Sequence, residues 1–280
     1  MAYIYAISDI HGRYDLLKNV VDEWVRFENG DQLILVGDYV DGDRHGNSCL
    51  TLQYIYQLQL AYPQQVIVLQ GNHEEWLLSF LEDRETYLDT QIDMSFSTLE
   101  SFTGEDEMTS IYQRASAYHQ DRFSIIEDMY HQCRELICQK HASVMNWLKH
   151  LPYYYENDHQ IFVHAGIEVI DYQPELWKQV STVNTYLMEY PASQGQFYKK
   201  VIAGHIGTHQ VTHQSDFHQI CWQNCSSIFI FFITNRKTYR SHLLFPPLLF
   251  STAFKIGTYI GHFPFPSGIC VTSGSAIQFP

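Results

Sequence analysis

Two carboxylates, Asp38 and Asp41, stand beside glycines in the stretch GDYVDGD at residues 37–43. The preceding run Leu33–Val36 has the length and composition of a buried strand, and Gly37 indicates where the chain leaves it. A carboxylate has two oxygens and can bridge two cations. Asp38 is therefore predicted to lie at the centre of a site, with ligands from other loops on either side.

Four further loops repeat this pattern, in which an apolar strand ends in Asp, Asn or His beside a glycine. Ligands of open α/β sheets bind at the carboxyl ends of the strands, so these loops are expected to converge on one site. Five such loops are more than chance composition readily gives. The side chains that they supply are Asp9, His11, Asp38, Asn72, His164 and His205, with Asp41 and His73 next to them.

The donor atoms in this set are carboxylate and amide oxygens mixed with imidazole nitrogens. Such a mixture suits Mn²⁺, Fe²⁺ or Zn²⁺ better than Ca²⁺, which prefers oxygen ligands alone. Two such metals, about 3.5–4 Å apart, can each hold a phosphoryl oxygen and activate a bridging water for in-line attack. Uncatalysed phosphate ester hydrolysis is very slow and benefits from such charge neutralisation. The residues therefore predict a phosphoesterase with two divalent cations, of which Mn²⁺ is favoured.

His73 follows Asn72 and a glycine turn, which places its imidazole near the site without making it an obvious ligand. It is the candidate general acid, which would protonate the leaving alkoxide. Asp41 is the partner expected to hold the tautomer of His73 and to raise its basicity. The alternative for Asp41 is a plain Asx turn.

The elements that must position these loops can be predicted from periodicity. Two amphipathic helical stretches separate the first three apolar runs, which predicts a βαβαβ opening and a parallel sheet. Residues 75–150 have a polar, helical pattern and are predicted to form an inserted cap that turns near residues 103–107. Strands are predicted at 3–7, 33–36, 66–69, 160–163 and 200–203, and the first two helices at 14–27 and 49–60.

Five blocks of the sequence resemble, in order, those of the calcineurin-like metallophosphoesterases. Within that family they are most similar to bacterial serine/threonine protein phosphatases and their diadenosine tetraphosphatase relatives. The blocks span residues 8–207 and read Asp9-Ile-His11-Gly, Gly37-Asp38-Tyr-Val-Asp41, Gly71-Asn72-His73-Glu74, His164-Ala-Gly166 and Gly204-His205.

The resemblance implies an α/β sandwich of two mixed β-sheets flanked by helices. It also implies a site with two metals and an acid pair made of His73 and Asp41. Asn72 is assigned to substrate as well as to metal. The implied ligands are Asp9, His11 and Asp38 for the first metal, and Asp38, Asn72, His164 and His205 for the second.

The sequence departs from the family pattern at two phosphate-binding positions. The family usually has an arginine directly after the second Asp of the GDYVD loop, where this chain has Gly42. Arg44 is the candidate replacement, and a solvated loop arginine is the alternative. A second arginine usually lies between the HAG and GH blocks, but residues 167–204 contain none. The lysines of that segment, Lys178, Lys199 and Lys200, are poor substitutes for a bidentate fork.

Composition restricts the partners and the compartment. A net charge of −14 argues against non-specific nucleic-acid binding, which needs a basic face. No stretch reaches the roughly 18 apolar residues of a membrane span, and the N-terminus lacks the regions of a signal peptide. The six cysteines are interpreted as reduced thiols in a cytoplasmic protein. The predicted partner is a phosphoprotein or a small phosphate ester, with no nucleic acid and no membrane.

Three functions fit these residues. The leading one is a serine/threonine protein phosphatase that hydrolyses phosphomonoesters with a metal-activated water. The second is a dinucleoside polyphosphate hydrolase, such as one for diadenosine tetraphosphate, which would use the same site and differ in what the cap admits. The third is a non-catalytic metal-binding regulator that has lost both arginines.

The C-terminal part of the chain differs in composition from the rest. Residues 217–280 contain no Asp or Glu, and Ile228–Ile233 has the character of a buried strand. No regular periodicity follows. Residues 1–234 are predicted to form the catalytic domain, and residues 235–280 an atypical tail that contributes neither ligands nor specific packing. The alternative is an apolar edge that packs on the sheet.

Overall fold

The computed structural model describes residues 2–42, 46–84, 95–189, 191–193 and 197–206, together with the backbone of strands at 228–234 and 237–243. By contacts the chain divides into two units, Met1–Leu244 and Phe245–Pro280. The second unit lies outside the described residues, as does Arg44.

Two β-sheets form the framework. The larger sheet has the order β3-β2-β1-β7-β8, in which β1, β2, β3 and β7 are parallel and β8 is antiparallel to β7. The smaller sheet has the order β4-β5-β6, with β5 parallel to β6 and antiparallel to β4. The strands are β1 Ile4–Ser8, β2 Gln32–Leu35, β3 Val66–Val68, β4 Tyr154–Glu156, β5 Gln160–Val163, β6 Lys200–Ala203, β7 Ile228–Thr234 and β8 Lys237–Leu243.

Helices flank the sheets and fill the segment between β3 and β4. The predicted α/β sandwich of two mixed sheets with an inserted helical cap is confirmed. The described helices are α1 Tyr14–Trp24, α2 Ser48–Ala61, α3 Asn72–Leu81, α4 Phe96–Thr103, α5 Glu105–Tyr118, α6 Arg122–Lys140, α7 Ala142–Leu148, α8 Trp177–Val180 and α9 Val183–Met188, with 3₁₀ turns at Phe27–Asn29 and Pro174–Leu176.

The core of the sandwich follows from strands that are apolar on both faces. Ile34 of β2 is fully buried and packs in a cluster with Ala6 of β1, Phe162 of β5 and Ile202 of β6. This cluster joins side chains of both sheets. Burial on both faces is expected for parallel strands, whose continuous apolar runs are covered on either side.

The inserted cap shares a hydrophobic core with the larger sheet. Leu99 of α4, Ile111 of α5 and Cys133 of α6 are buried in one cluster with residues of α1 and the larger sheet. The chain turns from α4 to α5 at Gly104, within the predicted turn. No helix in the described part of the chain is long and apolar enough to cross a bilayer.

Strand β8 lies in a stretch for which the sequence predicts no regular element. It pairs with β7 along its whole length, from Thr234 opposite Lys237 to Ile228 opposite Leu243. The first unit therefore extends past residue 234, to Leu244. The division into a catalytic domain and a tail without specific packing stays a prediction for the residues beyond that point.

Candidate metal centre

The candidate residues follow the carboxyl ends of five strands. Asp9 comes after β1, Asp38 after β2 and Asn72 after β3, while His164 and His205 come after β5 and β6. Backbone hydrogen bonds tie these loops together. The N–H of Ile10 donates to the carbonyl of Asp38 at 2.7 Å, and the N–H of Gly204 donates to the carbonyl of His164 at 2.8 Å. The arrangement of strands thus brings the predicted loops to one place.

Most of the site residues have a left-handed backbone. In the described residues, six non-glycine positions have a positive φ, and five of them are candidate site residues. This conformation is uncommon for residues other than glycine, and it costs on the order of 1–3 kcal/mol at each position. Such strain persists only where the surrounding structure fixes it. The five residues are Asp9, His11, Asp38, Asp41 and His205.

Asp38 is the centre of the site. Its carboxylate is buried, and its Oδ2 lies 3.9 Å from Nε2 of His11 and 3.9 Å from Nε2 of His73. Its Oδ1 lies 3.4 Å from Nε2 of His164. Two groups of three residues therefore share this one carboxylate, and within each group the donor atoms lie within 4.8 Å of one another. One group is His11, Asp38 and His73, and the other is Asp38, His164 and His205.

Two histidines present the same ring nitrogen to Asp38. Nδ1 of His11 lies 3.1 Å from the carbonyl oxygen of Asp41, and Nδ1 of His164 lies 2.9 Å from that of Val36. A ring that donates through Nδ1 to a carbonyl has its neutral form fixed with a lone pair on Nε2, the arrangement common in metal-binding histidines. The donor set therefore fits divalent cations.

The remaining predicted ligands complete the second group. Oδ1 of Asn72 lies 2.8 Å from Nε2 of His164 and 3.1 Å from Nδ1 of His205. Oδ2 of Asp9 accepts the backbone N–H of His205 at 3.1 Å, so Asp9 links the first loop to the last. Among the described residues, Asp9 belongs to neither of the two three-residue groups.

The ionisable groups of the site shift one another's pKa values. Burial favours the neutral form of Asp38, but the neighbouring histidines, His164 first, hold its pKa well below its usual range. Burial also opposes a charge on His164, yet Asp38 raises the pKa of that imidazole to about 9. Burial and the nearby His164 lower the pKa of His205. The site is thus built around an ionised carboxylate that attracts positive charge.

His73 and Asp41 face each other beside the candidate metal ligands. Nδ1 of His73 is buried and lies 3.7 Å from Oδ2 of Asp41, which is beyond hydrogen-bonding distance. The ring packs between those of His11 and Trp76, with centroids 4.7 and 4.5 Å away. Burial opposes protonation of His73, but Asp41 and Asp38 raise its pKa above the ordinary value. The structure also places Nε2 of His73 among the donors of the first group, where the sequence predicted no ligand.

Glu74 is a functional residue to which the sequence analysis gave no role. Its buried carboxylate accepts four backbone N–H groups: those of Gly71 at 2.9 Å, Asp38 at 2.8 Å, Tyr39 at 2.7 Å and Val40 at 3.2 Å. Burial and the neighbouring Asp38 raise the pKa of Glu74, whereas these donors oppose the rise. A sequence signal was present, because a Glu three residues after an N-cap commonly reaches back to that residue.

Tyr39 was likewise missed. Its buried hydroxyl donates to the carbonyl of Leu69 at 2.5 Å and accepts the N–H of Gly37 at 3.0 Å. These bonds join the ends of β2 and β3 directly below the site. Tyr39 therefore fixes the spacing of two of the loops that carry ligands.

The position of the missing family arginine is closed to side chains. Gly42 has φ +87°, and a Cβ at this residue would lie 2.6 Å from Nδ1 of His11. No side chain fits there while His11 keeps its place.

The three lysines considered as substitutes lie at the end of the smaller sheet opposite to the candidate ligands, where Lys200 begins β6. Lys178 and Lys199 both pair with Glu156, and Lys199 also donates to the carbonyl of Asn157 at 2.7 Å. Glu156 is opposite Ile161 in the sheet, near the start of β5. His164 and His205 follow the other ends of β5 and β6, so these two lysines do not serve the site.

Comparison with known proteins matches residues 2–224 to the calcineurin-like phosphoesterases. One relative is the serine/threonine-protein phosphatase PP1-delta of Caenorhabditis elegans, 32% identical over 71 residues, which are 25% of this chain and 22% of that protein. Another is an uncharacterized protein of the same organism, 29% identical over 84 residues, 26% of this chain and 32% of that protein. The chain thus spans a third or less of these relatives.

Solved structures show a similar partial match. A serine/threonine phosphatase from Saccharomyces cerevisiae with similarity to human phosphatase PP5 is 16% identical, with a TM-score of 0.32 over 70% of this chain and 49% of that one. A metallophosphoesterase from Sphaerobacter thermophilus is 17% identical, with a TM-score of 0.30 over 58% of this chain and 46% of that one.

Proposed function

Because the chain belongs to the calcineurin-like phosphoesterase family, we propose that it is a metal-dependent phosphatase that acts on phosphoserine and phosphothreonine in proteins. One observation carries the proposal: the buried carboxylate of Asp38 is shared by two groups of side chains that could hold a metal ion. The partial likeness to a serine/threonine-protein phosphatase supports the substrate class. Mn²⁺ as the metal and a cytoplasmic location belong to the same proposal.

The ligands would divide between two cations, with Asp38 common to both. Asp9 and His11 would complete the first site, and Asn72, His164 and His205 the second. When bound, the two cations neutralise the charge of the phosphate and activate a water for in-line attack. The carbonyls that face Nδ1 of His11 and of His164 keep both rings turned towards Asp38.

His73 would supply the proton of the leaving oxygen. Its ring is held between His11 and Trp76, and Asp38 and Asp41 favour its protonated form. Asp41 would orient the ring through Nδ1. An alkoxide such as that of serine is a poor leaving group, so a positioned acid contributes most for this substrate class.

Binding of the phosphate itself would depend on few cationic side chains. Gly42 stands where the family has an arginine. Lys178 and Lys199 pair with Glu156, at the end of the smaller sheet opposite to the candidate ligands. Arg44 and the amide of Asn72 remain our candidates for contact with the substrate. The metals would therefore bear most of the charge of the phosphate.

The proposal can be tested with the purified full chain loaded with Mn²⁺. Turnover of p-nitrophenyl phosphate, abolished by chelation and by Asp38→Asn, is the expected first result. A phosphoserine peptide should then be hydrolysed faster than diadenosine tetraphosphate. Preference for the dinucleotide would overturn the substrate class. Two bound metals without turnover of any of the three substrates would overturn the enzymatic function and favour a metal-binding regulator.

A further inference from the structure

The carboxylate of Asp41 is held by the cap. Helix α4 begins with Ser95 as its N-cap, whose Oγ accepts the backbone N–H of Thr98 at 3.3 Å. From this first turn two hydroxyls reach Asp41. Oγ1 of Thr98 donates to Oδ1 of Asp41 at 2.7 Å, and Oγ of Ser95 donates to the same oxygen. One oxygen of Asp41 is thus occupied by the cap, which leaves Oδ2 facing Nδ1 of His73.

The rest of the loop is fixed by other contacts. Glu74 binds the backbone N–H groups of Asp38, Tyr39 and Val40, but not the side chain of Asp41. The backbone N–H of Asp41 donates to Oγ of Ser48 at 3.0 Å. Loss of the cap hydroxyls would therefore free the carboxylate of Asp41 without releasing the loop that carries Asp38.

The hydroxyl of Thr98 is better placed than that of Ser95 to hold the carboxylate of Asp41. Its side chain is buried at 3% exposure, beside Leu99 and Phe102 in the core of the cap. Its Oγ1 also lies 2.9 Å from Oγ of Ser95, so both of its close polar contacts are directed within one small cluster. A buried hydroxyl with fixed partners holds a carboxylate in one orientation at little further cost in side-chain entropy.

We propose that Thr98 is a positioning residue for the general acid, so that the inserted cap completes the His73–Asp41 pair. The inference rests on the proposed function, because it takes His73 as the acid. The cap would then orient the general acid through Asp41, in addition to any role in admitting substrate. A purely structural threonine would affect all substrates alike, whereas a positioning residue affects those that need the acid.

The test is Thr98→Val, which keeps the shape of the side chain and removes the hydroxyl. The matched control is Thr103→Val on the same helix, where Oγ1 donates to the carbonyl of Leu99 at 3.0 Å and the side chain is also buried, at 6% exposure. We expect kcat for a phosphoserine peptide to fall about 10–100-fold in Thr98→Val, and kcat for p-nitrophenyl phosphate to fall less than about threefold. Thr103→Val should leave the ratio of the two rates unchanged, and Thr98→Ser should restore it.

An equal loss on both substrates, or no loss on either, would overturn the proposal. If Thr98→Val does not fold, Thr98→Ala removes the same hydroxyl without adding a second methyl group, and the same ratio is read. Crystal structures give a second reading: Asp41 should turn away from His73 in Thr98→Val and not in Thr103→Val. If the wild-type chain hydrolyses neither ester, the proposed function fails. The positioning role is then judged from the crystal structures alone, and an Asp41 that keeps its place in Thr98→Val would overturn it.

Discussion

The backbone N–H of Asp38 donates to the carboxylate of Glu74 at 2.8 Å, so the central residue of the candidate site is held by the first turn of α3. The same carboxylate binds three further N–H groups, and it does so in a fully buried place. Asp38 has φ +59°, a conformation that needs such support. The strained loop and the helix that follows β3 are therefore one unit.

Glu74→Gln should destabilise this unit. The amide group of Gln would face N–H donors, and a buried donor without an acceptor costs about 1–3 kcal/mol. We expect the free energy of unfolding, measured with urea and a chelator, to fall by about 3 kcal/mol or more. Glu75→Gln is the control, because Glu75 is partly exposed and accepts from the side chains of Gln70 and Arg84 and, among the described residues, from no backbone N–H of the Asp38 loop. Equal effects of the two substitutions would contradict the role given to Glu74.

Asp38→Asn should weaken both metal sites together. An amide has one oxygen where the carboxylate has two, and it lacks the charge that draws the histidines to the centre. We expect metal analysis to show the loss of more than one cation and kcat to fall by orders of magnitude. The control is Asp83→Asn, at another aspartate with a positive φ but outside the site. Near-normal turnover of Asp38→Asn at low Mn²⁺ would show that the carboxylate does not bridge.

His73→Asn distinguishes an acid from a ligand. As a general acid, His73 should speed the loss of alkoxides by about 10²–10⁴-fold and matter less for acidic phenols. We therefore expect a large loss of kcat on a phosphoserine peptide, a smaller loss on p-nitrophenyl phosphate and an unchanged metal content. Its Nε2 also lies 3.9 Å from Asp38, among the donors of the first group. Loss of one cation in His73→Asn would assign it to the metal instead.

The framework of the candidate site could be predicted because each candidate ligand stands near a recognisable signal. Asp9 and His164 directly follow apolar strands, and Asn72 follows β3 after a glycine turn. Parallel strands bring such ends together whatever the intervening sequence. The contacts of Glu74 with the Asp38 loop and the hydroxyl contact of Thr98 could not be predicted. Glu74 binds loop residues 34 to 36 positions away and Thr98 binds a residue 57 positions away. Those contacts depend on how α3 and the cap pack against the loop, which local pattern does not specify.

Strand β8 was missed for a different reason. Its sequence KTYRSHL has neither a continuous apolar run nor a regular alternation. It forms because β7 presents an edge along which all seven of its residues pair. Backbone hydrogen bonding, which does not depend on side-chain type, decides the structure there.

Two truncations separate β8 from the residues that follow it. A chain that ends after Leu244 retains the whole first unit and should unfold at nearly the same temperature as the full chain, with the same metal content. A chain that ends after Thr234 lacks β8 and leaves the edge of β7 unpaired, which favours aggregation. Thermal unfolding and light scattering measure both outcomes. A Thr234 truncation as stable and monodisperse as the Leu244 truncation would show that β8 adds nothing.

Substitutions of Gly42 test whether the backbone at this position can carry the arginine that the family usually has. Gly42→Ala should cost about 1–2 kcal/mol in left-handed strain and also push the ring of His11 aside. Gly30→Ala is the matched control: Gly30 has φ +84°, and the nearest atom to an added Cβ is Ala2 Cβ at 3.7 Å. We expect Gly42→Ala to lose at least as much stability as Gly30→Ala, and loss of metal and turnover only in Gly42→Ala. Gly42→Arg, which restores the family's residue, should be no more active than Gly42→Ala. A Gly42→Arg enzyme that exceeds the wild-type rate would show that the loop can rearrange to admit the arginine.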